Sequence, residues 1–195
     1  MTKLLTSKFT HLQFLGPMGS GKTTTLLQLA DNLAQKGFHV AYEYLALGER
    51  NYKTETTTLD ILLLDEAQRL NWQSRRRLLA SLSQGRQGSL RLILSSHKDL
   101  TGAFRRRGLP LQTVVVDEVL TAAFYGRILA RRLAYFALPG RPHTTLSADA
   151  VQWLYETFYP NMRDAEYFLY EVWQRETAVR EITAVHLKNL FAKIG

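Results

Sequence analysis

Residues 11–30 read HLQFLGPMGSGKTTTLLQLA. A short apolar run meets a glycine at Gly16, three more loop residues, and then Ser20-Gly21-Lys22-Thr23. The spacing satisfies G-x-x-x-x-G-K-[ST], and the pattern on either side gives it meaning. His11–Leu15 reads as a strand. From residue 22 to residue 35 the apolar positions Leu26, Leu27, Leu29, Ala30 and Leu33 recur at helical spacing, and Gly37 is a natural stop. A glycine-rich turn between a strand and a helix lets the backbone wrap a phosphate without Cβ clashes, with its N–H groups pointing inward. The start of the helix adds partial positive charge. Gly16, Pro17, Met18, Gly19, Ser20, Gly21, Lys22, Thr23 and Thr24 therefore form a candidate nucleotide loop. Lys22 is expected to reach the β- and γ-phosphates, standing toward solvent when no nucleotide is bound. The Thr23 hydroxyl is expected to ligate Mg²⁺.

The partner of such a loop is an acid at the end of a buried strand. Residues 59–70, LDILLLDEAQRL, supply it. The apolar run Ile61–Leu64 predicts a strand covered on both faces. Two carboxylates directly after it need a cation or a catalytic task to offset their desolvation. Asp65 is expected to orient the Mg²⁺ shell, and Glu66 to polarise the attacking water. Together the two stretches call for a nucleoside triphosphate with Mg²⁺.

The rest of the chain alternates in the same way. Residues 38–45, 90–96 and 111–117 read as further strands, and Asn71 caps a helix running to about Gln84. Strand–helix alternation predicts an α/β class with a mostly parallel sheet. Residues 118–137 read as a helix, and LPGRPHTT at 138–145 as a Pro/Gly break. Three helical patterns follow, at 148–158, 162–175 and 184–194, with Ser147, Asn161 and Thr183 placed as N-caps. The expected division is a core over 1–137 and a small helical lid over 138–195. Trp72, Trp153 and Trp173 read as packing residues.

The composition of the 195 residues is that of a globular protein, with 46% hydrophobic and 22% charged residues. It contains no cysteine, which excludes disulfides and thiolate metal sites. The first residues show neither the apolar core nor the small-residue cleavage site of a signal peptide, and no apolar run approaches a membrane span. The expected location is cytoplasmic. The formal net charge of +8 favours polyanionic partners.

The acid pair, the later strand with a polar end and the helical C-terminal patterns together resemble the AAA+ P-loop ATPases over nearly the whole chain. The resemblance implies an oligomer, ring or filament, with ATP between core and lid. LILSSH (residues 92–97) looks like the sensor 1 strand, with Ser95 or Ser96 near the γ-phosphate. AFRRRGLP (103–110) resembles the arginine-finger region. Arg105, Arg106 and Arg107 are its candidates for reaching a neighbouring subunit's nucleotide. YPNMRDAEYFLYEV (159–172) resembles the sensor 2 helix, with Arg163 facing the phosphates. LLLDEAQRL with a short lid looks most like the group of transposition regulators, secretion-associated ATPases and origin-recognition proteins. That implies a DNA-associated machinery and protein partners. His97 resembles the histidine switch of ABC-type ATPases, but no LSGGQ-like signature precedes the acid strand.

One departure from the family concerns the polar stretch 46–58, where a helix is usual. It leaves either a minimal crossover between two parallel strands or a different strand pairing. Its Arg50, Tyr52 and Lys53 suit phosphate contact and base stacking, the alternative being an ordinary solvated loop. Arg75–Arg77 and Arg131–Arg132 add basic clusters, of which at least one arginine is expected at a phosphate or a subunit contact. A nucleotide-gated protein-only scaffold and an ABC-like or kinase-like enzyme are the rival readings.

Overall fold

A computed structural model describes residues 11–84, 90–137, 143–176 and 178–194. Contacts divide the chain into Met1–Val116 and Asp117–Gly195. Most of the expected break at 138–145 lies outside the described residues.

The first unit is built on five parallel strands: β1 (His11–Leu15), β2 (Val40–Tyr44), β3 (Ile61–Asp65), β4 (Arg91–Ser96) and β5 (Leu111–Val115). Their spatial order is β2-β3-β4-β1-β5. β4 is thus inserted between the strand that leads into the glycine loop and the strand that ends in the acids. The register sets Leu12 and Leu63 level with Ile93, and Phe14 level with Ser95.

The helices of this unit are α1 (Lys22–Ala34), α2 (Trp72–Gln84) and α3 (Thr101–Arg105). The continuous apolar run of β3 is explained by its two-residue period. Leu62 and Leu64 join one buried cluster with Leu78, Leu79 and Leu82 of α2 and Phe104 of α3. Ile61 and Leu63 join another with Leu26, Leu29 and Leu33 of α1. Within α1 only the 3.6-residue stripe is buried, so Leu27, expected in the stripe, is exposed. Gly37 ends α1 at φ +86, with its N–H bonded to Ala34 and the Phe38 N–H to Leu33.

No helix joins β2 to β3. Residues 45–60 make the crossover as a loop pinned by side chains, its own and those of its neighbours. The Glu43 carboxylate accepts the N–H groups of Lys53 at 2.7 Å and Thr54 at 2.9 Å. Asp60 accepts the His39 N–H at 2.8 Å. The Asn71 N–H donates to the Arg50 carbonyl, and its side chain donates to Asn51 Oδ1 at 3.0 Å. Backbone groups that a helix would satisfy internally are satisfied one by one.

The second unit contains α4 (Val116–Val119, begun in the first), α5 (Ala122–Phe136), β6 (Thr145–Leu146), α6 (Ala148–Phe158), α7 (Met162–Arg175), β7 (Glu181–Ile182) and α8 (Ala184–Ile194). The single helix expected over 118–137 is broken at Leu120–Thr121, and the Thr121 hydroxyl caps α5 by accepting the Phe124 N–H. Ser147 and Asn161 cap α6 and α7 as expected. Tyr125 and Leu129 of α5 are buried with Leu154, Leu169 and Leu187. This packing sets α5 with the C-terminal helices, where the sequence pattern grouped it with the core. Trp153 joins Phe158, Phe168 and Phe191 in ring contacts of 5.4–6.3 Å. The short parallel pair β6–β7, in which Thr145 meets Glu181, has no counterpart in the periodicity. Among the described residues no helix is long and apolar enough to cross a membrane.

Candidate nucleotide site

The glycine loop follows β1 and runs directly into α1. Gly19 at φ +79 and Gly21 at φ +87 occupy the left-handed region that side-chain-bearing residues avoid. Gly21 is the N-cap of α1 and provides no side-chain cap. The first backbone N–H groups of that helix are therefore open to an anion. The Ser20 hydroxyl braces the turn by donating to the Pro17 carbonyl at 2.9 Å.

Lys22 departs from expectation. It is buried, at 5% exposure, where a solvent-facing amine was expected. Its Nζ donates to the carbonyls of Gly16 at 2.9 Å and Pro17 at 2.6 Å. The loop curls around the ammonium because carbonyl oxygens replace water as its acceptors, and a buried cation needs such partners. The charge is held inside the ring of backbone that a phosphate would enter. Thr23 and Thr24 are exposed in the first turn of α1.

β4 ties this loop to the acids. The Ser96 carbonyl accepts the Gly16 N–H at 3.3 Å on the β1 side. On the β3 side the Ser95 hydroxyl donates to Asp65 Oδ1 and accepts the Glu66 N–H at 3.1 Å. Of the two serines named from the sequence, Ser95 touches the acids. The Ser96 hydroxyl is engaged in its own turn, donating to the Lys98 carbonyl at 2.6 Å. Asp65 is fully buried, and its other oxygen accepts from the Tyr42 hydroxyl at 3.0 Å. Burial, with Asp65 beside it, holds that phenol's pKa above its ordinary value.

Glu66 is the one non-glycine residue with positive φ among those described, at φ 59 and ψ 37. Such a backbone is worth about 1–3 kcal/mol of strain and persists where surrounding bonds over-determine it. Here its N–H is fixed by both Asp65 and Ser95. The turn aims its carboxylate away from the strand into a cluster of donors. Gln68 donates to Oε2 at 2.7 Å, Arg69 pairs with the same oxygen at 3.0 Å, and His97 Nε2 lies 3.1 Å from Oε1. Arg69 is itself anchored on the Leu45 carbonyl at 2.6 Å and the Tyr44 hydroxyl at 3.2 Å. Tyr42, Gln68 and Arg69 have no place in the sequence-level site. The three-residue spacing of Glu66 and Arg69 is the signal that could have flagged the arginine. His97, weighed there only as an ABC-type feature, meets Glu66 because the β4 end lies beside the β3 end.

The donor set suits Mg²⁺ with a triphosphate. A hydroxyl and a carboxylate are hard oxygen ligands, and Mg²⁺ keeps several of its waters. The loop offers backbone N–H groups and one ammonium to the phosphates.

The other residues named from the sequence are dispersed. Arg105, Arg106 and Arg107 are exposed at the end of α3 and form no ion pair among the described residues. Arg163 is exposed in the first turn of α7, in the second unit. In the crossover, Arg50 is exposed and Lys53 pairs with Glu49 at 2.5 Å. Tyr52 is half-buried against the α2-side cluster, so its ring is committed to packing. Arg75 points inward to the Leu70 carbonyl at 3.0 Å, and burial lowers its pKa. Trp72, expected to pack, is 66% exposed.

No protein-family profile matches the sequence, and no curated protein matches it. Solved structures do. The Thermotoga maritima RuvB Holliday junction branch migration motor aligns with a TM-score of 0.65 and 16% identity, over 98% of this chain and 64% of that one. A DNA replication initiation factor aligns at 0.61 and 18% identity, over 96% and 59%. AMPPCP-bound DnaA from Aquifex aeolicus aligns at 0.54 and 19% identity, over 85% and 56%. The chain thus spans less than two thirds of each. Identities this low speak to architecture, and the architecture is the one the motifs resemble: the chain has the fold of the AAA+ P-loop ATPases.

Proposed function

We propose that the protein is a Mg²⁺-dependent ATPase that assembles with copies of itself and regulates or loads a DNA-associated machinery of the transposition, replication or recombination type. The observation that carries this reading is the coupling across β4. One strand end bonds to the phosphate loop through Ser96 and to the acid pair through Ser95. Phosphate-binding and water-activating groups then converge at the carboxyl end of a parallel sheet, where such folds place their ligands.

The roles follow from the chemistry. Gly16–Gly21 and Lys22 hold the phosphates, and Thr23 and Asp65 hold the metal, which when bound would screen the charge that builds on the transferring phosphoryl group. Glu66 is the base that takes a proton from water. Arg69 and Gln68 engage one of its oxygens and His97 the other, so loosening that cluster would raise its capacity to take the proton. One of Arg105, Arg106 and Arg107 is the finger for a neighbour's nucleotide, supported by their exposure, and Arg163 acts from the second unit. The DNA association is supported by the net charge of +8 and by two of the similar structures, a Holliday junction branch migration motor and a DNA replication initiation factor. A cytoplasmic location fits this reading.

The test is phosphate release from ATP by the purified protein with Mg²⁺ and after chelation by EDTA, with particle size measured with and without a non-hydrolysable analogue. Mg²⁺-dependent release and nucleotide-dependent growth are expected. Absence of both would overturn the reading. A finger is tested by mixing Glu66→Gln subunits with Arg105→Ala, Arg106→Ala or Arg107→Ala subunits. Recovered turnover in one mixture identifies it.

A further inference from the structure

We infer that Trp72 and Arg76, with Arg50 beside them, form a stacking platform for an unpaired base of single-stranded nucleic acid. The inference rests on the DNA association proposed above and gives it a site. Trp72 opens α2 and is 66% exposed, an unusual position for the largest apolar side chain on a surface that nothing else covers among the described residues. The Arg76 guanidinium, one turn on, lies 5.9 Å from the indole ring centre. It occupies part of one face of the ring and leaves the remainder open. A π surface paired with a guanidinium is the combination that holds a base and its phosphate together.

The surroundings select for a polyanion. From Ala67 to Lys98 the sequence contains six arginines and a lysine and no Asp or Glu. Arg77 is exposed next to Arg76, whereas Arg75 is turned inward to backbone carbonyls. The crossover loop adds a further cation. Asn71, the residue before Trp72, bonds through its N–H to the Arg50 carbonyl and through its side chain to Asn51. The backbone of exposed Arg50 is thereby held beside the residue that precedes the indole. A base inside a duplex has both faces covered by its stacked neighbours, so the fit is to a single strand. The stacking role that the sequence suggested for Tyr52 passes to Trp72, because Tyr52 is packed against the core.

The experiment measures affinity for a fluorescent oligo-dT, over a series of salt concentrations, for the parent protein, Trp72→Ala, Trp72→Phe and Arg76→Ala. Thermal midpoints and ATP-analogue binding serve as folding controls. Trp72→Ala should weaken binding roughly 5- to 150-fold at constant salt slope, and Trp72→Phe should keep most of the affinity. Arg76→Ala should reduce the slope by about 0.7. A parent that binds the oligonucleotide with Trp72→Ala equal to it would overturn the platform and leave the DNA association standing. A parent that binds neither oligo-dT nor duplex DNA would overturn both. Unchanged oligonucleotide affinity in Trp72→Ala, with altered particle size, would make the patch a protein contact and likewise end the proposal.

Discussion

Two loops in the first unit leave parallel strands, and they are held in opposite ways. The phosphate loop, residues 16–21, is fixed by its own backbone. Two glycines take φ values that residues with side chains rarely adopt, the Ser20 hydroxyl bonds to the carbonyl three residues back, and Lys22 fills the ring. The crossover, residues 45–60, is fixed largely by side chains. Glu43 of β2 accepts two of its N–H groups, Asn71 before α2 bonds to Arg50 and Asn51, its own Asp60 accepts the His39 N–H, and Glu49 accepts from Ala46 within it. The glycine loop leaves the first N–H groups of α1 without a side-chain cap, whereas the crossover has several of its N–H groups consumed by side chains. The first therefore carries a motif, and the second reads as merely polar.

The comparison is broken most strongly at Lys22. Lys22→Ala should abolish productive ATP binding, read as loss of analogue binding. Because the amine is buried on two carbonyls, this substitution should also lower the thermal midpoint, by the equivalent of about 1–3 kcal/mol for the acceptors left behind. Retained ATP binding would remove the loop from the nucleotide site. Next in size, Glu66→Gln should keep ATP bound and slow turnover by about 10²–10⁴-fold, the contribution of a general base. Undiminished turnover would leave Glu66 a structural acid held by Arg69 and His97.

A smaller effect comes from the strand that feeds the phosphate loop. His11 is buried, accepts the Leu92 N–H at 3.1 Å on Nδ1, and has its pKa lowered to about 4 by burial. A neutral histidine in the fold against an ordinary value near 6.5 in the unfolded chain means that the unfolded state takes up the proton first. Its contribution is full above about pH 6.5 and is lost as pH falls toward 4, at most about 3 kcal/mol. Urea titrations from pH 7 to 4.5 on the parent and His11→Gln should show the steeper loss in the parent. Parallel losses would refute this account. Smallest is the crossover itself. Glu43→Gln should cost about 1 kcal/mol by weakening two charge-assisted bonds and leave ATP-analogue binding unchanged. Equal losses of stability and nucleotide affinity would show that the two loops are not independent.

Legibility followed the range of the interactions. The strand runs, the α1 stripe, the caps at Asn71, Ser147 and Asn161, and the helices at 148–158, 162–175 and 184–194 are written in periods of two and 3.6 and in neighbouring residues, and the structure reproduces them. Misplaced features depend on what packs against them. Leu27 lies off the buried stripe by its angle on the helix. Trp72 is exposed because the α2 face that meets the sheet is Leu78, Leu79 and Leu82. α5 joins the second unit because Tyr125 and Leu129 find their partners there.

The sequence by itself determined the glycine turn between strand and helix, the buried acid strand, the α/β class and the excess of positive charge, because each rests on residue type and local spacing. Only the tertiary structure decided which serine serves the acids, that Lys22 is enclosed, and that Glu66 is held by Arg69, Gln68 and His97. Those depend on β4 lying between β1 and β3, a strand order that brings residues 16, 66 and 97 to one edge and that no local pattern encodes.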